Sequence, residues 1–348
     1  MSDVTLILLL ALPLALISAA VVRAMIAWPI LDHPDARKAH TRPTPRGGGV
    51  GPVVAFILGM FAFYHLAALA PLAEERFVSV VVAAVAIAAV SLADDAWDFR
   101  FFVKLGAQAL AAMVAMGAGL VLHRLSLPGF GEVPLGWLGY AITLFWIVGC
   151  TNAVNFMDGL DGLVGGVMVV ACAALAAIAA ANEGWFVFAA AVFLTAGFAG
   201  FLPFNLHPAR IFMGDVGSQF AGFMLAVLAV AAGGFEASQV SFLIVPLLLF
   251  GLLYDASFTL IRRAAMGEKV SAPHRSHLYQ MAQRSGMSVR WVAAVHGGFV
   301  LFHTALAFLF MGLAPADKPL VVLPALVLQL GWTSYVLRRM RRAGIGWR

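Results

Sequence analysis

Apolar residues run through this chain in long blocks separated by short polar stretches, from one end to the other. A helix needs about 20 mostly apolar residues to cross roughly 30 Å of hydrocarbon. Eleven blocks approach that length, at residues 3–22, 48–70, 77–93, 104–122, 136–152, 163–181, 185–202, 217–233, 240–261, 291–312 and 319–337. The pattern predicts an all-α integral membrane protein with about 11 transmembrane helices, one polytopic domain over 1–348. Val4 to Val22 has no basic residue before it and Arg23 after it, the reverse of a secretory leader, so it is expected to remain as the first span. The connections at about 24–47, 94–103, 153–162, 203–216 and 262–290 fall on one side.

Composition agrees with the pattern. Hydrophobic residues make up 62% of the 348 and charged residues 11%, whereas soluble domains carry roughly 25% charged residues. The net charge of +5 is distributed topologically. With the N-terminus outside and the C-terminus cytoplasmic, 19 of the 22 Lys and Arg lie in cytoplasmic connections, and only Arg76, Arg124 and Lys318 lie outside. That distribution explains the basic charge without a nucleic-acid partner. Cys150 and Cys172 sit in apolar segments with no spacing that suggests a disulfide or zinc site.

The same orientation sorts the acids. Asp32, Asp35, Asp94, Asp95, Asp98, Asp158, Asp161, Asp215 and Glu268 fall inside, and Asp3, Glu74, Glu75, Glu132, Glu183, Glu236 and Asp317 outside. The inner set is nearly all aspartate at span ends, which points to a site on the inner face.

Five constellations carry candidate chemistry. Asp94-Asp95-Ala96-Trp97-Asp98 ends span three. On a helical extension Asp94 and Asp98 share a face, and their repulsion calls for a positive partner. A divalent metal bridging to phosphate supplies one; a solvated acidic loop is the plainer alternative. In Asn152-Ala153-Val154-Asn155-Phe156-Met157-Asp158-Gly159-Leu160-Asp161-Gly162, a helix would turn Asn155, Asp158 and Asp161 to one side. Helix capping is the alternative for that triad, and close packing of span six through Gly162 and Gly166 is the alternative for the glycines. In Phe212-Met213-Gly214-Asp215-Val216-Gly217-Ser218, two glycines bracket Asp215, a candidate metal ligand or an N-cap of span eight.

The fourth, Ser271-Ala272-Pro273-His274-Arg275-Ser276-His277, offers His274, Arg275 and His277 to a diphosphate, or a basic loop to anionic lipid. The fifth is the first loop, Asp35 to Gly49. Arg46 is a candidate substrate contact, and Gly47-Gly48-Gly49 a backbone cradle for phosphate; a positive-inside anchor is the alternative. Asp255 lies inside span nine, where a carboxylate is functional or paired by default, and a structural pair with Arg262 or Arg263 is expected. His65, His296 and His303 also fall within spans, where hydrogen bonds to neighbouring helices are a better expectation than haem ligation.

Taken together, DDAWD, NAVNFMDGLDG, FMGDVGS and a late histidine-bearing loop resemble the polyprenyl-phosphate N-acetylhexosamine-1-phosphate transferase superfamily, glycosyltransferase family 4. The resemblance runs from the first cytoplasmic loop to about residue 290. It implies that Asp94 and Asp95 activate the lipid phosphate and support a metal centre, with Asp94 as candidate base, and that Asp215 ligates Mg²⁺, with Mn²⁺ as an alternative. Asn155, Asp158 and Asp161 are expected to line the nucleotide and diphosphate pocket, and His274 and His277 to contact the sugar-nucleotide phosphates. The family's histidine cluster is usually denser; here Arg275 and Ser276 intervene, a form resembling the branch that uses sugars such as QuiNAc or FucNAc, with GlcNAc the other expectation.

The implied reaction is attack of undecaprenyl phosphate on the β-phosphorus of a UDP-sugar, releasing UMP and starting a surface glycan at the bacterial inner membrane. Phosphoryl transfer rests on positioning and charge neutralisation, which suits several aspartates around Mg²⁺. The chain is compatible with a homodimer. The alternative from another class is a transporter or flippase for a lipid-linked or anionic substrate, whose polar residues would line a midplane pathway. Here they collect at one face.

Overall fold

The structure is a computed structural model that describes residues 3–32, 43–67, 74–127, 131–234, 240–272 and 274–347. The first-loop residues 35–42 and Pro273 lie outside the described residues. Every apolar block coincides with helix: α1 (Asp3–Ala27), α2 (Val50–Leu66), α3 (Glu74–Trp97), α4 (Phe101–Gly117), α5 (Leu138–Met157), α6 (Leu163–Ala181), α7 (Trp185–Asn205), α8 (Gly214–Gly234), α9 (Ile244–Leu248), α10 (Phe250–Ala265), α12 (Val289–Gly312) and α13 (Val322–Arg342). The short α11 (Leu278–Arg284) was not expected from hydropathy. Helix is the form that satisfies backbone donors and acceptors within one segment where no water is present.

Among the described residues, eight helical segments are long and apolar enough to cross a bilayer: α1, α3, α5, α6, α7, α8, α12, and α13 with the turn before it. The helices α2 and α4 have 17 residues each, about 25 Å at 1.5 Å per residue, slightly short of the hydrocarbon thickness. The block at 240–261 is two helices, α9 and α10, meeting at Leu249. Two antiparallel ribbons modify the all-helical expectation: β1 (Ile30–Asp32) with β2 (Thr44–Arg46), and β3 (Arg124–Leu127) with β4 (Gly131–Pro134). Both lie in connections, where polar backbone pairs across strands.

The core is organised around α8. Every residue from Val216 to Ala232 is buried, as expected for a helix apolar on all sides. The helix packs against α3 and α5. Between helices of similar polarity to lipid, close approach replaces hydrophobic drive. A Cβ on Gly49 would lie 2.1 Å from the Gly217 Cα, so α2 and α8 meet glycine on glycine. Of the alternative seam through Gly162 and Gly166 only the first glycine is closely packed, a Cβ there lying 3.3 Å from Leu206. A Cβ on Gly166 would meet nothing within 4 Å, whereas one on Gly165 would lie 3.3 Å from Leu202 and Phe201 of α7.

One end of the bundle gathers the connections that matter. Gly48 and Gly49 donate to the carbonyls of Phe212 and Met213, and Phe212 donates to that of Pro45, tying the first loop to the entry of α8. Gly162 donates to Asn205 Oδ1, and the Tyr279 hydroxyl donates to the Phe156 carbonyl. The end of α13 joins them, with Arg339 donating to the Ser285 carbonyl. These bonds bring the first loop, the α5–α6 turn, the α7–α8 loop, the segment around α11 and the end of α13 together.

Candidate active site

The last turn of α3 and the first turn of α8 meet through Asp95. Its Oδ1 accepts the Asp215 N–H and its Oδ2 the Val216 N–H, each at 3.0 Å. Helix N-termini leave such donors unpaired and favour an anion there. The cap of α8 is therefore Asp95, supplied by another helix, and Asp215 is released from the capping role. Gly214 makes the approach possible: its φ is +74°, and a Cβ there would lie 2.6 Å from Asp95 Oδ2.

Asp94, one residue earlier, accepts the Phe99 N–H at 2.7 Å on Oδ1 and contacts the Lys104 ammonium through Oδ2. Lys104 Nζ also lies 3.3 Å from Asp215 Oδ2. The positive partner that the sequence requires for these aspartates is thus already present as a side chain of α4. Asp98 does not share the face of Asp94: it follows the last residue of α3, is exposed, and has φ 51°. Arg46 completes the cluster, 3.5 Å from Asp32 and 4.0 Å from Asp95.

Asp215 is held from behind by a chain of amides. Gln219 Nε2 donates to Asp215 Oδ2 at 2.9 Å, Gln108 Nε2 to Gln219 Oε1 at 2.9 Å, and Asn152 Nδ2 to Gln108 Oε1 at 2.6 Å. This chain crosses α8, α4 and α5. Sequence reasoning missed Lys104, Gln108 and Gln219 as site residues. The available signal was an amide one turn after a charged residue, inside an otherwise apolar helix, at both Lys104/Gln108 and Asp215/Gln219.

The NFMDGLDG segment is a turn between two helices, because α5 ends at Met157 and Gly162, at φ +74°, opens α6. Asn155 occupies the last turn of α5, and its carbonyl accepts the Asp158 N–H. Asp158 is half-buried. Burial pushes its carboxyl up to about 8, and the charges of Asp215, Asp95 and Asp161 act in the same direction. Asp161 faces the neighbouring loop, where its Oδ2 pairs with His207 Nδ1 at 2.7 Å and accepts the Ala209 N–H at 3.1 Å. The turn therefore brings Asp158 toward the carboxylate cluster while fixing Asp161 to the loop before α8.

The histidine loop stands on the other side of that turn. Asp255 pairs with His277 Nδ1 at 3.2 Å and accepts the N–H groups of Leu278 and Tyr279 at 2.9 Å each. Its expected pairing with Arg262 or Arg263 does not occur. Arg263 instead binds Glu268 and the carbonyls of Lys269 and Ala272, while Arg262 binds Glu268 and Ser276 and stacks on Trp347. His274 lies 4.9 Å from His277 between ring centroids, with Nδ1 turned to the Ser276 hydroxyl. Arg275 is half-buried beside them, its carbonyl accepting from Arg284. Burial, with Asp255 and Asp158 nearby, holds the Tyr279 phenol well above its ordinary value. It remains a neutral donor.

Two of the three glycines of the expected phosphate cradle are already engaged, because the Gly48 and Gly49 N–H groups are used on Phe212 and Met213. Among the described residues, the hydrogen bonds to neighbouring helices expected of His296 and His303 are not made: His296 Nδ1 meets the Val292 carbonyl of its own helix, and His303 lies against the Phe250 ring. Among the described residues, no three His, Cys, Asp or Glu side chains converge as a ready-made metal site.

The family model for "Glycosyl transferase family 4" matches residues 77–233, which hold the three aspartate motifs. A probable undecaprenyl-phosphate N-acetylglucosaminyl 1-phosphate transferase of Bacillus subtilis (strain 168) is 31% identical over 281 residues, 80% of this chain and 76% of that one. A decaprenyl-phosphate N-acetylglucosaminephosphotransferase of Mycobacterium tuberculosis (strain ATCC 25618 / H37Rv) is 31% identical over 326 residues, 85% of this chain and 79% of that one. A phospho-N-acetylmuramoyl-pentapeptide-transferase of Enterococcus faecalis matches over a shorter stretch, 39% identical over 106 residues, 30% of this chain and 33% of that one. With apolar helices, clustered carboxylates and relatives of this kind, the transporter alternative falls away, and the chain belongs to glycosyl transferase family 4 as a multi-pass polyprenyl-phosphate sugar-1-phosphate transferase.

Proposed function

We propose that the protein transfers an N-acetylated amino-sugar 1-phosphate from a UDP-sugar to undecaprenyl phosphate at the cytoplasmic face, with Mg²⁺, releasing UMP. A lipid phosphate oxygen forms the new bond to the β-phosphorus as the bond to the UMP oxygen breaks, and UMP carries away the electron pair. The observation that carries this reading is the meeting of Asp94 and Asp215 across Lys104 at the end of the bundle where those segments join. The relatives' names support GlcNAc as the first sugar to test. The excess of Lys and Arg in the same connections supports a cytoplasmic site.

Mg²⁺ takes oxygen ligands from one or two carboxylates and completes its shell with substrate phosphate and water. Asp94 and Asp215 fit that donor set, and Asp215 is the principal ligand, with Mn²⁺ an acceptable substitute. When bound, the cation neutralises charge on the transferring phosphoryl group. Lys104 balances the two carboxylates and stands ready to meet a phosphate oxygen. Asp95 fixes the start of α8 and so the direction of Asp215. Asp94 orients the attacking phosphate and accepts its proton when one is present. Arg46, beside Asp95, faces the polyprenyl phosphate. Asn155, Asp158, Asp161, His274, Arg275 and His277 border the nucleotide side.

The test is purified protein with undecaprenyl phosphate, Mg²⁺ and a panel of UDP-sugars, read as UMP release. UMP with UDP-GlcNAc or a related sugar is expected. Silence with every sugar, or full activity after Asp215→Ala, overturns the proposal.

A further inference from the structure

We propose that Asp255 is a positioning residue for nucleotide-sugar binding, acting through the His277 imidazole; this deepens the function proposed above and rests on it. Asp255 and His277 are 2% and 3% exposed, on different elements, 22 residues apart in sequence. A buried carboxylate within an apolar bundle is costly, so its partners define its purpose. Four donors meet it: the Leu278 N–H, His277 Nδ1 and, one turn along the same helix, the Thr259 hydroxyl on Oδ1, and the Tyr279 N–H on Oδ2.

That arrangement settles the orientation of the ring. Oδ1 is an acceptor, so Nδ1 carries the hydrogen and donates it, leaving Nε2 as the ring atom able to meet a substrate oxygen. Ring rotation is restrained as well. Phe156 and Tyr279 lie 6.0 and 5.8 Å from the imidazole centroid, and His274 lies 4.9 Å away. The same carboxylate starts α11 through two backbone donors, and α11 carries Tyr279, whose hydroxyl holds the Phe156 carbonyl two residues before Asp158. A Cβ on Gly159 would lie 2.2 Å from that hydroxyl, so the α5–α6 turn and the histidine loop are in direct contact. Asp255 thus sets both the imidazole and the spacing between the loop and the turn that bears Asp158, without itself touching substrate.

The experiment is steady-state kinetics with UDP-GlcNAc and undecaprenyl phosphate on Asp255→Asn, His277→Ala and the double variant, each checked for a monodisperse peak in detergent. Asp255→Asn is expected to raise KM for UDP-GlcNAc about tenfold while KM for undecaprenyl phosphate stays within about twofold. In the His277→Ala background the same change is expected to raise that KM by clearly less than it does alone, because the part of its effect that passes through the imidazole is already lost. Equal loss toward both substrates, or fully additive effects, overturns the proposal. Should Asp255→Asn fail to fold, His277→Asn keeps a donor toward Asp255 but lacks Nε2; a tenfold higher KM supports the proposal, and wild-type KM overturns it. A wild-type protein silent with every UDP-sugar removes the underlying function instead, an outcome distinct from these.

Discussion

Asp95, near the end of α3, and Asp255, within α10, each accept two successive backbone N–H groups at the start of another helix. Their surroundings differ in sign. Around Asp95 stand two more carboxylates, Asp94 and Asp215, with Lys104 between them and Arg46 at the edge. Around Asp255 stands a histidine, and at the end of its own helix Arg262 and Arg263 share the single carboxylate of Glu268. One device, a carboxylate from a distant helix fixing a helix start, therefore builds an acidic half suited to a cation and a cationic half suited to a diphosphate. Asp158, on the turn between them, is influenced by the acidic half and touches the other through the Tyr279 contact with its turn.

The largest expected effect comes from the acidic half. Asp215→Ala is expected to lower kcat by about 10³-fold, the scale of losing an electrostatic group at a reacting centre, with a wild-type elution profile. A variant that unfolds would reassign Asp215 to structure and break the comparison. Asp95→Ala strands two buried donors, so a stability loss of about 1–3 kcal/mol is expected alongside lost activity. Thermal unfolding in detergent checks this, and an unchanged melting temperature means that Asp95 does not cap α8.

Lys104→Gln is expected to lower kcat about tenfold while reducing the Mg²⁺ concentration for half-maximal rate severalfold, because two carboxylates lose their cation. A Mg²⁺ titration decides it, and a higher requirement counts against the assigned balance. The smallest effect concerns Asp158. Its folded value of about 8 exceeds the ordinary carboxyl value of 3.8, so the folded state holds the proton more tightly. Its stabilising contribution is complete below pH 4 and is lost as pH rises toward 8. In the absence of divalent cations, Asp158→Asn is expected to flatten that decline, and an unaltered pH–stability profile would refute the assignment.

Much of this was legible in the chain. Eleven apolar blocks predict helices that the fold contains, because the bilayer-length requirement acts on each segment separately. The aspartate motifs, grouped by the side on which their loops fall, predict the acidic end. The partners of those aspartates were not legible. Asp95 reads as half of an aspartate pair, and nothing in that spacing tells that each of its oxygens accepts an N–H of α8, more than a hundred residues away. Asp255 reads as an arginine's partner, because Arg262 and Arg263 follow it closely in sequence, yet they bind Glu268 and Asp255 takes His277.

The amino-acid sequence alone determined the helical membrane architecture and the reaction class, since hydropathy and motif order are local or cumulative properties of the chain. Only the tertiary structure decided which carboxylate caps α8, which one is spared that role and which ring nitrogen of His277 meets Asp255. Those assignments depend on hydrogen bonds between residues far apart in sequence, whose few-ångström distances no spacing along the chain encodes.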